Sequence, residues 1–121
     1  MERLCEITYL DDDEALFAWC AARAYAPVAI EVAPDATRID RAAFPASPAL
    51  IVGHEGRGLS DPLMARCDST VVIPQFGPVA CLNVATSAAI AMYECRRDDP
   101  EVREITRNKF HVELEDRVPE E

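Results

Sequence analysis

Two short stretches concentrate the residues that could do chemistry. The first is Gly53-His54-Glu55-Gly56-Arg57-Gly58-Leu59-Ser60, with three glycines in six positions and a histidine, a carboxylate and a guanidinium among them. Glycines this dense let backbone N–H groups approach a ligand closely, and they equally suit a plain turn between a strand and a helix. The second is Pro74-Gln75-Phe76-Gly77-Pro78-Val79-Ala80-Cys81-Leu82-Asn83, running straight into an alanine-rich helical pattern. His54 could serve as a base, although an exposed loop histidine accounts for it as simply. Arg57 could meet a phosphate or a partner subunit, or be a solvated charge. Cys81 invites a nucleophile reading because a helix N-terminus lowers a thiol pKa, yet no base lies near it in the sequence.

The elements that must position these loops follow from periodicity. Continuous apolar runs at Val28–Val32, Ala49–Val52 and Val71–Ile73 read as strands covered on both faces, and Glu6–Leu10 reads as a shorter strand before them. Between them lie an amphipathic helix over Glu14–Ala24, ended by Pro27, and a short helix over Ser60–Cys67 with Asp61-Pro62 in its first turn. Leu82–Arg97 is the longest helix. Its stripe of Leu82, Ala85, Ala89, Met92 and Tyr93, with small Ala85, Ala88 and Ala89, would let another helix approach closely. Phe17, Trp19 and Tyr93 read as core residues. Strands alternating with helices predict an α/β fold with a parallel sheet and flanking helices, in which ligands sit beyond the carboxyl ends of the strands. Both chemistry-bearing loops follow such ends.

Composition bounds the rest. With 121 residues, the chain makes one domain of residues 1–97, followed by a charged tail over residues 98–121 that carries nine acidic and four basic side chains. Five cysteines, an odd number without zinc spacing, predict reduced thiols in the cytoplasm and no metal site. No apolar run predicts a membrane span or a cleaved signal. The net charge of −10, from 12 basic and 22 acidic residues, argues against gripping nucleic acid by bulk electrostatics.

Taken as a pair, the two loops carry a resemblance. "ALIVGHEGRGLS" followed by "VVIPQFGPVACLNVATSAAIAMYE" resembles motifs 2 and 3 of the SpoU/TrmH group of SPOUT RNA methyltransferases, closely over residues 48–94 and loosely over residues 4–47. The resemblance implies an α/β knot, its last helix threaded through a loop of the chain, with S-adenosyl-L-methionine bound in the knot. It implies a homodimer and an RNA substrate, tRNA or rRNA, methylated on the ribose 2′-oxygen. It places Gly53, Ile73, Cys81 and Leu82 around the cofactor, and Glu55 and Asn83 near the reacting centre. Two departures stand out: Cys81 replaces the family's usual serine, and the N-terminal motif 1, an Asn-x-Gly segment with an arginine that activates the ribose hydroxyl, has no counterpart in these residues. A ribose hydroxyl is a poor nucleophile and needs such a group. The expectation is therefore a shortened methyltransferase domain that does not turn over by itself. The alternatives are a non-catalytic knotted domain that binds cofactor or partner, and an unrelated α/β module that binds phosphate or nucleotide at the glycine loop.

Overall fold

A computed structural model describes residues 5–77 and 83–99. The elements are α1 (Asp13–Ala22), β1 (Ala26–Ile30), β2 (Thr37–Arg38), a 3-10 turn (Ile39–Arg41), β3 (Pro48–Val52), α2 (Asp61–Arg66), β4 (Ser69–Val72) and α3 (Val84–Arg96). The four strands form one parallel sheet in the order β2-β4-β1-β3. The α/β class with a parallel sheet and flanking helices is thus as the alternation predicts. The knot expected of the last helix turns on residues 78–82, which lie outside the described residues, as does the tail from residue 100 onward.

Local chemistry sets the helix starts. Asp12 caps α1 by accepting from Ala15 N at 2.8 Å, and Ser60 caps α2 by accepting from Leu63 N at 3.2 Å. α1 stops before Pro27 is reached. Ala24 takes a left-handed φ of 57°, and the N–H groups of Ala24 and Tyr25 donate to the carbonyls of Ala21 and Cys20 at 3.3 and 2.9 Å. This double reversal closes the helix two residues earlier than the proline suggests.

β1 is the centre of the molecule. Val28 and Ile30 share a core with Ile39, Val71 of β4 and Ala91 of α3, with Phe44, Leu50, Val52 and Ile90 packed around it. Ala29 points to the opposite face and is equally buried, and α1 packs against β1 there, with Cys20 shielded from solvent. Arg66 of α2 pairs with Glu14 and stacks over Phe17 at 4.3 Å, tying α2 to α1.

Three expectations change. Glu6–Leu10 forms no regular element and joins no strand, and Ile7 and Tyr9 are exposed; its β-favouring residues find no sheet edge to pair with among the described residues. β2 and the 3-10 turn arise between β1 and β3, where the periodicity predicts no element, and Ile39 is buried in the core. Tyr93 is not a core residue: 65% exposed, it lies with Met92, Ala85 and Ala89 on the outer face of α3, while Ala91 faces the sheet.

Candidate functional site

An open cleft lies where the carboxyl ends of β1, β3 and β4 meet the first turns of α3. Its walls come from Ile30 and Glu31 after β1, Gly53, His54 and Glu55 after β3, Ile73 and Gln75 after β4, and Val84 and Ser87 of α3. Its position is where parallel α/β sheets bind ligands. Glu31 and Glu55 are the acidic groups in the wall, and no Lys or Arg lines it among the described residues.

The glycine loop is folded back on itself. His54 and Gly58 form an antiparallel bridge, and the carbonyl of His54 accepts from Gly58 N at 2.8 Å and from Arg57 N at 3.2 Å. A Cβ on Gly53 would lie 2.5 Å from the carbonyl carbon of Gly58, and Gly58 itself has a φ of +65°. These two glycines are therefore demanded by loop closure before any ligand arrives. Gly56, by contrast, has room for a side chain.

Gly53, Ile73 and Glu55 line this cleft, and Asn83 joins it through Glu55. Asn83 caps α3 by accepting from Ala85 N at 2.9 Å, and its Nδ2 donates to Glu55 Oε1 at 3.4 Å. Cys81 and Leu82 lie outside the described residues. His54 Nδ1 accepts from Gly56 N at 3.2 Å, which puts the proton of the neutral tautomer on Nε2. That geometry does not suit a general base. Arg57 is exposed, without an ionic partner among the described residues.

Glu31 escaped the sequence reading. It sits at the end of an apolar strand with no motif around it, and its long-range partner lies 28 residues away. The signal available was a single carboxylate interrupting a buried run.

A parallel sheet whose glycine loop and helix cap meet beside one cleft defines an α/β domain with a candidate ligand site at its carboxyl edge. The chain belongs to the SpoU rRNA methylase family, whose model matches residues 2–93. It is 44% identical over 48 residues to the 23S rRNA guanosine-2′-O-methyltransferase RlmP of Bacillus subtilis, covering 40% of this chain and 19% of RlmP. The fold superposes on the TrmH/SpoU tRNA modifying enzyme of A. aeolicus with a TM-score of 0.65 and 25% identity, covering 76% of this chain and 47% of that enzyme. It also superposes on the SpoU methyltransferase AviRb of Streptomyces viridochromogenes, solved with AdoMet, with a TM-score of 0.66 and 27% identity over 78% of this chain and 37% of AviRb. The chain spans less than half the length of these relatives.

Proposed function

We propose that this chain is the cofactor-binding part of an RNA ribose 2′-O-methyltransferase acting on tRNA or rRNA, with a knot near the C-terminus, working as a homodimer in the cytoplasm. The observation that carries this reading is the convergence of the glycine loop, Ile73 and the Glu55–Asn83 pair on one cleft at the carboxyl edge of the sheet. S-adenosylmethionine, when bound, supplies a methyl group on a cationic sulfonium. Gly53 and Ile73 give the cleft a floor, and the segment that includes Cys81 and Leu82 supplies backbone groups around the adenine. The acidic wall suits a positively charged cofactor centre. Glu55, held by Asn83, orients a hydroxyl by accepting its proton in a hydrogen bond, and Asn83 fixes the carboxylate while capping the helix. Arg57, exposed on the loop, meets an RNA phosphate against the overall charge of −10.

No cationic activator lines the cleft among the described residues, so hydroxyl activation falls to a group beyond them or on a second polypeptide. The same observation favours a second reading, a domain that binds cofactor without methylating. Calorimetric titration with S-adenosylmethionine, with ATP as control, followed by a methyl-transfer assay on total RNA, tests both. The expected result is cofactor binding without detectable transfer by the 121-residue chain. Binding of ATP but not S-adenosylmethionine would overturn the assignment. Transfer by this chain that is lost in Asn83→Ala would place the activator within it.

A further inference from the structure

The geometry points to Glu31 as the positioning residue that holds the cofactor cleft in its binding shape. The inference rests on the cofactor reading above, and it concerns a residue that touches the cleft wall from the central strand. Glu31 directly follows β1, and its backbone N–H donates to Val71 O of β4 at 3.0 Å, continuing the parallel ladder. Its side chain turns the other way. Oε2 accepts from Leu59 N at 2.8 Å, at the far end of the glycine loop, and Oε1 accepts from Val32 N at 2.9 Å. One residue thus fastens the loop after β3 to the strand that carries the loop after β4.

The carboxylate also explains a glycine. A Cβ on Gly58 would collide with Glu31 Oε2, so Gly58 is required by its φ and by the carboxylate beside it. Gly58 in turn backs Gly53, whose own Cβ would strike the Gly58 backbone. The order of support runs from Glu31 through Leu59 and Gly58 to Gly53 on the cleft floor. A carboxylate suits this task because it is acceptor-only at both oxygens and bonds to backbone N–H with charge assistance. Glutamine keeps the shape but turns one acceptor into a donor facing an N–H. Alanine removes both acceptors.

The test is calorimetric titration of S-adenosylmethionine into the wild-type chain and into Glu31→Ala and Glu31→Gln, with hydrogen exchange of the Leu59 amide read on each. Glu31→Ala is expected to weaken binding about tenfold or more, which is about 1.4 kcal/mol, and to speed Leu59 exchange selectively. Glu31→Gln, which can still offer one oxygen to Leu59, should fall between alanine and wild type. Gly58→Ala should weaken binding less in the Glu31→Ala background than in the wild type, because the collision with the carboxylate is then gone and only the strain of its left-handed φ remains; a residue that merely adds to global stability gives additive losses instead. Glu31→Ala that is folded and binds within twofold of wild type overturns the inference while leaving the cofactor reading intact. A wild-type chain that binds no S-adenosylmethionine overturns that reading, and with it the role assigned to Glu31 toward the cofactor. Unchanged Leu59 exchange in Glu31→Ala overturns the inference whatever the affinity, and this readout still serves if the variant is too weak to titrate.

Discussion

Asn83 and Glu55 meet at 3.4 Å across 28 residues of sequence, while the same asparagine caps α3 through Ala85 N. One side chain therefore joins the start of the longest helix to the glycine loop. Its two tasks can be separated. Asn83→Ala removes both and should lower stability to denaturant by about 1 kcal/mol, the ordinary loss of an N-cap. Asn83→Asp keeps a capping oxygen but sets a negative charge against Glu55. It should retain most of the stability while weakening any function that depends on the pair, as read by denaturation beside cofactor titration.

Gly53 is closed in by the Gly58 backbone. Gly53→Val should therefore open the loop and abolish S-adenosylmethionine binding in calorimetry, whereas Gly56→Ala, where a Cβ makes only ordinary contact with the His54 ring, should bind within a few-fold of wild type. Equal losses at both positions would contradict the closure account.

Ala24 occupies the left-handed position of the α1 terminus at φ 57°. Glycine carries no Cβ penalty there, so Ala24→Gly should stabilise the fold by up to about 1 kcal/mol, measured as a raised denaturation midpoint with an unchanged slope.

The outer face of α3 exposes Met92 at 57% and Tyr93 at 65%, and Phe76 is 98% exposed. If this face is the homodimer contact, each substitution is felt twice across a two-fold axis. Sedimentation at micromolar concentration should show a dimer for the wild type and a monomer for Tyr93→Glu. A monomeric wild type would exclude this contact.

Burial pushes the thiols of Cys20 and Cys67 above their ordinary value of 9.0, and for Cys67 the neighbouring Asp68 adds to it. The folded state therefore keeps protons that the unfolded state releases, so stability is undiminished below pH 9.0 and declines as pH rises above it. Denaturation midpoints should fall in alkali, and less so in Cys67→Ser. In pulse alkylation Cys5, which is exposed, should react at once, and Cys20 only on unfolding.

The sequence by itself determined what is local. Apolar runs marked β1, β3 and β4 to within two residues at each end, because a buried parallel strand needs unbroken apolar residues on both faces. Ser60 with Asp61-Pro62 marked the start of α2, and the paired loops marked the cleft, since glycine density and position after a strand are themselves sequence properties. What only the tertiary structure decided depends on neighbours distant in the chain. Glu6–Leu10 has strand-forming residues, yet a strand exists only where an edge receives it. α3 carries alanines and apolar residues all round, so hydrophobicity could not choose its inner face; packing of Ala91 against the sheet did, leaving Met92 and Tyr93 outside. Glu31 looks like a lone charge ending a strand. Its place under the glycine loop was settled when parallel pairing set β3 beside β1 and brought the Leu59 amide within 2.8 Å of its carboxylate.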